Sequence, residues 1–210
     1  MIKVIIFDSD GTLFSDNGLC EKTLRQTCKE FEVPFDKVAY SKLKGTSRLD
    51  RIKKLFPKNY TKLWPYWDNL YVTQYKDITK PFVGVISELK RLKKKGLLLF
   101  IFSTKNSYLI KQALKKYNIS DLFAEIIGGE FSPQKPHKKG ILMLAKKHGF
   151  ELSNSCLVGD SKIDLVAAKN AKIPFILVEY KKGKEKGIFC DEKISSFSQL
   201  KNAIKKIELN

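Results

Sequence analysis

Four aspartates stand where this chain could do chemistry: Asp8 and Asp10 in DSDGT, and Asp160 and Asp164 in GDSKID. Each pair follows an apolar run, so each is expected at the carboxyl end of a buried strand, the edge at which open α/β sheets bind ligands. Gly11 lets the backbone turn closely around whatever is bound there. Four carboxylates at one point repel unless some are protonated or a cation joins them. Oxygen-only ligands select a hard divalent ion, and Mg2+, which keeps several waters and shares its sphere with phosphate, is the expected cofactor. Two more segments contribute. Ser103, Thr104 and Lys105 close another apolar run and offer a hydroxyl and backbone N–H groups, and Lys135 in SPQKPHKKG offers a positive charge. With one divalent ion and Lys135, the four carboxylates retain about one negative charge, so a phosphate dianion enters only through metal coordination, the lysine and local N–H donors.

Each feature alone has an ordinary structural reading. Asp-Gly is a turn dipeptide, Asp164 suits a helix N-terminus, Ser103 could cap a helix, and an isolated lysine is usually solvated. Convergence on one sheet edge is what favours a site.

The elements that must position these residues alternate along the chain. After an opening strand, helices are expected at 85–95, 108–117, 138–148 and 164–169, and strands at 97–102, 124–127, 156–158 and 175–178, with a closing helix at 197–207. That alternation predicts an α/β fold, a Rossmann-like parallel sheet with helices on both faces. Residues 16–80 break the pattern. Apolar residues recur at helical spacing (Leu24, Cys28, Phe31; Leu49, Ile52, Leu55), then an aromatic strip follows at Trp64, Tyr66, Trp67, Tyr71 and Tyr75. This predicts a helical insert ended by Pro81. The expected division is a core of 1–15 and 81–210, with 16–80 inserted.

The formal charge of +18 invites a nucleic-acid reading, yet lysine supplies 36 of the 40 basic residues and arginine only 4. Phosphate and groove recognition lean on arginine's fork, and the lysines are dispersed, including clusters at 93–95, 146–147 and 181–186 on expected solvated faces. The field is expected to attract small anions instead. No apolar stretch approaches the roughly 20 residues that span a bilayer, and the start does not read as a signal peptide. A cytoplasmic protein, monomer or homodimer, is expected. Cys20, Cys28, Cys156 and Cys190 form no metal-binding pattern.

Taken together, these segments resemble the haloacid dehalogenase superfamily, specifically its phosphatases of the phosphoglycolate phosphatase type. DSDGTL is similar to the first motif, DxDGT; Ser103 stands at the second motif's Ser/Thr; Lys135 matches the third motif's lysine; GDSKID matches the fourth, GDxxxD. Order and spacing agree over nearly the whole chain. The resemblance implies a small α-helical cap domain inserted after the first motif and a Mg2+-dependent phosphatase acting on a small phosphorylated metabolite through a phospho-aspartate. It implies Asp8 as nucleophile, Asp10 as general acid and base, and Mg2+ held by Asp8, the main-chain carbonyl of Asp10, Asp160 and Asp164. Ser103 and its neighbouring N–H groups, with Gly11, Thr104 and Lys105, would bind the phosphate, and Lys135 would neutralise charge. The alternative within the family is a phosphoryl mutase resembling β-phosphoglucomutase.

Substrate choice would lie in the insert. Lys44, Gly45, Thr46, Ser47 and Arg48 resemble a cap loop that faces the site, and Arg48 is the expected leaving-group contact. His137 and His148 receive no role. Departures from the family pattern, Ser9 between the aspartates and Thr104 where asparagine is frequent, leave the substrate open.

Overall fold

The computed structural model describes residues 1–43, 45–180 and 189–209, so Lys44 and the lysines of 181–186 lie outside the described residues. Apolar runs of β-branched and aromatic residues form the sheet. The strands β1 (Val4–Phe7), β4 (Leu98–Phe102), β5 (Glu125–Ile127), β6 (Ser155–Gly159), β7 (Phe175–Val178) and β8 (Glu192–Ile194) lie in the order β5-β4-β1-β6-β7-β8, and every pairing is parallel. Two short strands, β2 (Phe14–Ser15) and β3 (Lys80–Pro81), pair antiparallel at the base of the insert.

Strand alternation divides the core into two faces. Ile5, Phe7, Leu99, Ile101, Cys156 and Val158 pack with helices α5 (Val85–Lys94), α6 (Ser107–Lys116) and α9 (Leu200–Ile207). Val4, Ile6, Phe100, Phe102, Leu157 and Phe175 face the other way, against α7 (Lys139–His148) and α8 (Lys162–Ala171). A sheet covered on both sides explains why β1 reads as an unbroken apolar run.

The residues between β2 and β3 form α1 (Leu19–Glu30), α2 (Lys37–Lys42), α3 (Arg48–Leu55) and α4 (Tyr60–Ile78). They have an apolar cluster of their own, built on Leu24, Cys28, Tyr40, Ile52, Leu63 and Trp67. Between α1 and α4 the chain forms two helices, each with its own cap. Asp36 accepts from the Val38 and Ala39 amides to start α2, and Ser47 accepts from the Asp50 amide to start α3; such side-chain caps satisfy amides that have no partner in a first turn. Among the described residues, no helix is long and apolar enough to cross a membrane.

Candidate active site

Strand register brings the motif residues together. Phe7 pairs with Ile101 of β4 on one side and Val158 of β6 on the other. The residues that leave these three strands, Asp8, Ser103 and Asp160, therefore emerge at one edge, where β1 lies between a strand to each side and the crossovers diverge. The Asp8 amide donates to the Val158 carbonyl (2.9 Å) and the Ser103 amide to the Ile127 carbonyl (2.9 Å), fixing both residues to the sheet.

Carboxylate oxygens of Asp8, Asp160 and Asp164 lie within 4.8 Å of one another. Lys135 closes the cluster from below: its Nζ is 2.9 Å from Asp8 Oδ1 and 2.6 Å from Asp164 Oδ1, with its side chain fully buried. Burial, resisted by Lys135 and assisted by Asp164, pushes the Asp8 carboxyl up to about 6. Burial alone would depress the Lys135 amine, but Asp164 and Asp8 hold it above its ordinary value. Three carboxylates against one ammonium leave an excess of about two negative charges, which one hard divalent cation would cancel with an all-oxygen donor set. The residues present therefore fit such an ion.

Two glycines make room. Gly11 has φ +84°, a conformation L side chains rarely adopt, and a Cβ there would run into the Asp160 carboxylate. A Cβ on Gly159 would collide with Asp164. Asp164 caps the helix and faces the cluster at once: Oδ2 accepts from the Ser161 amide (3.1 Å) and hydroxyl (2.6 Å) in a capping box, while Oδ1 accepts from Lys135.

Asp10 departs from the expected four-carboxylate cluster. Its side chain turns toward the insert, where Oδ2 is 2.7 Å from Lys105 Nζ, so the carboxylate cluster holds three aspartates. Its Oδ1 is buried without a hydrogen-bond partner. Burial outweighs Lys105 and raises the Asp10 pKa. A carboxyl whose pKa is raised and which has an unengaged oxygen suits proton transfer.

The side chains of Lys105 and Thr104 reach the insert. The Lys105 amine donates to the Tyr71 hydroxyl and lies 3.8 Å from the Tyr75 ring centroid. Thr104 Oγ1 donates to the Gly45 carbonyl (2.9 Å). Both side chains thus join the core to the insert. Spacing alone could not reveal this, because Tyr71 and Tyr75 stand in the aromatic strip of the insert, far from Lys105 in sequence; their i, i+4 separation on α4 is the one signal that puts them on a common face.

A cleft of about 810 Å³ lies between core and insert, lined by Asp8, Asp10, Lys105, Lys135 and Asp160 on one side and Arg48 on the other. Arg48 Nη2 pairs with Asp68 Oδ1 (2.6 Å), its guanidinium lies 4.0 Å from the Tyr71 ring centroid, and Nη1 is buried without a partner. Of the aromatic strip, Trp67, Tyr71 and Tyr75 are fully buried. His148 lies outside the cleft, where Nε2 is 2.7 Å from Glu125.

The family model described as haloacid dehalogenase-like hydrolase matches residues 5–178. The phosphoglycolate phosphatase of Aquifex aeolicus is 32% identical over 178 residues, covering 81% of each chain. The pyrophosphatase PpaX of Oceanobacillus iheyensis is 26% identical over 173 residues, covering 82% of this chain and 81% of its own. A haloacid dehalogenase-like family hydrolase from Streptococcus pneumoniae shares the fold, with a TM-score of 0.83 at 20% identity over 97% of this chain and 98% of that one. The chain belongs to the haloacid dehalogenase-like hydrolase family.

Proposed function

We propose that this hydrolase is a Mg2+-dependent phosphatase that cleaves a small phosphomonoester through a phospho-aspartate on Asp8. The observation that carries the reading is the cluster of Asp8, Asp160 and Asp164, with Lys135 paired to Asp8 and Asp164, and Asp10 paired instead with Lys105 beneath the helical insert.

Asp8, Asp160 and Asp164, with the main-chain carbonyl of Asp10, would hold Mg2+, which when bound neutralises charge and orients the phosphoryl oxygens. In the first half-reaction, an Asp8 carboxylate oxygen forms a bond to phosphorus as the bond to the leaving oxygen breaks. Asp10 gives its proton to that oxygen, so an alcohol departs. In the second, Asp10 takes a proton from water, the water oxygen bonds to phosphorus, and the Asp8–phosphorus bond breaks to release inorganic phosphate. Lys135 stabilises Asp8 as a carboxylate and the charge on the transferring group, and Ser103 with its neighbouring amides binds phosphoryl oxygens. The insert, 16–80, acts as the cap that excludes water, and Arg48 Nη1 points to a leaving-group contact.

Phosphate release from p-nitrophenyl phosphate tests the reading. It should require Mg2+, stop with EDTA, and vanish in Asp8→Asn; turnover that survives that substitution removes the nucleophile assignment. Relatives named as pyrophosphatases place pyrophosphate on the substrate panel beside phosphomonoesters. A hexose 1-phosphate belongs there too, since an isomeric sugar phosphate as product would identify a mutase.

A further inference from the structure

We propose that the substrate's leaving group carries an oxyanion of its own, a carboxylate or a second phosphoryl group, and that Arg51 receives it. The proposal rests on the phosphatase reading above and adds the substrate class.

Arg51 lines the same cleft as Asp8 and Asp10, from the insert side, together with Cys20, Tyr40 and Thr46. The residue is 8% exposed. Nη1 donates to Cys20 Sγ (3.1 Å) and Tyr40 Oη (3.2 Å), Nη2 donates to the Thr46 carbonyl (3.1 Å), and Nε is buried without a partner. The other cations of the cleft have acids: Lys135 has Asp8 and Asp164, Lys105 has Asp10, and Arg48 has Asp68. Among the described residues, Arg51 has no carboxylate within ion-pair distance. Its neighbours do not supply the charge either, since burial raises both the Cys20 thiol and the Tyr40 hydroxyl and keeps them protonated at neutral pH.

Asp16, which also lines the cleft, acts on Arg51 through its charge without pairing with it; a buried guanidinium with no paired carboxylate is costly, and an arriving anion would compensate it. The thiol is a weak acceptor, readily exchanged for a charged oxygen that accepts a stronger hydrogen bond. Geometry adds a second donor. Arg48 lies three residues before Arg51 on α3, so both project from one face of that helix, and Arg48 Nη1 is the other buried guanidinium nitrogen without a partner. The insert side of the cleft thus offers two unfilled guanidinium edges opposite the aspartates that handle the phosphoryl group. A substrate with a phosphoryl group at one end and an oxyanion at the other fills both.

The test compares kcat/KM of the full-length, Mg2+-supplied protein for ethyl phosphate, phosphoglycolate and pyrophosphate. At least one of the two substrates with a second anionic group should exceed ethyl phosphate by tenfold or more; phosphoglycolate in the lead identifies a carboxylate partner, and pyrophosphate a second phosphoryl group. Arg51→Met should cut that ratio at least tenfold, mainly through KM, and Arg51→Lys should restore part of it. Equal activity on all three substrates overturns the proposal, as does an Arg51→Met ratio identical to the parent's, the mark of a purely structural arginine. Should Arg51→Met fail to fold, Arg51→Lys alone decides: a ratio lowered at least threefold supports the proposal, and an unchanged ratio overturns it. Failure of the phosphatase reading itself looks different, since turnover of all three substrates would then persist in Asp8→Asn or be absent in the parent.

Discussion

Replacing the proposed nucleophile should make the metal-free protein more stable while ending its activity. The Asp8 carboxyl is pushed from 3.8 to about 6, chiefly because burial disfavours its charge. A folded value above the unfolded one means that protonated Asp8 favours the native state. That contribution is complete below the unfolded value near 3.8 and is lost as the pH rises through about 6. The amide introduced by Asp8→Asn stays neutral at every pH, and the variant keeps the Lys135–Asp164 pair. A shift of about two units corresponds to up to about 3 kcal/mol. For a chain of this size that is roughly 6–12 °C in melting temperature. The assay is thermal unfolding of the parent and Asp8→Asn in EDTA, from pH 4 to pH 8. The two should melt together near pH 4, diverge between about pH 4 and pH 6, and stay apart above that, with the variant higher. Saturating Mg2+ should then raise the parent more than the variant, because a ligand that binds only the native state stabilises it. A variant that melts below the parent at pH 8, or a gap independent of pH, would refute the charge-strain argument.

Three further substitutions probe the site. Lys135→Met leaves Asp8 and Asp164 buried without their ammonium; it should cost about 3–5 kcal/mol at pH 8 without metal, and less at pH 5, as chemical denaturation at the two pH values would reveal. Gly11→Ala forces a side chain into a positive-φ position against Asp160; a loss of at least about 2 kcal/mol and a blunted melting response to Mg2+ are expected. Lys105→Met removes the cation beside Asp10 and its tie to Tyr71; kcat should fall by roughly 10- to 100-fold, a partial loss of the about 10²- to 10⁴-fold that proton transfer by a positioned side chain contributes, as steady-state kinetics on p-nitrophenyl phosphate would measure.

The parallel core was legible because buried strands leave unbroken apolar runs: 175–178 is the strand expected, and 97–102 differs from Leu98–Phe102 by one residue. β8 was not legible. Glu192–Ile194 is a short edge strand with two charged residues, and its pairing to β7 comes from neighbours, not from its own pattern. The β2–β3 pairing joins residues more than sixty positions apart, a distance over which local periodicity carries no information. At the site, the strand-end aspartates, Ser103 and Lys135 could be found by type and position. The direction of Asp10 could not, since it depends on Lys105 being held between two tyrosines of a separate helix. Arg51 was equally hidden: its sequence neighbourhood is that of a solvated basic helix, and only its burial without a paired acid marks it.

Every catalytic step proposed above requires Asp8, Asp160 and Asp164 to share one divalent cation at the carboxyl edge of the sheet. Anomalous diffraction from crystals grown with Mn2+ would locate that ion. A single strong peak is expected at coordination distance, about 2.0–2.3 Å, from oxygens of Asp8 and Asp160, with Asp164 bound directly or through water. A Mn2+ peak elsewhere in the protein, with Asp8 and Asp160 uncoordinated, would contradict the shared site.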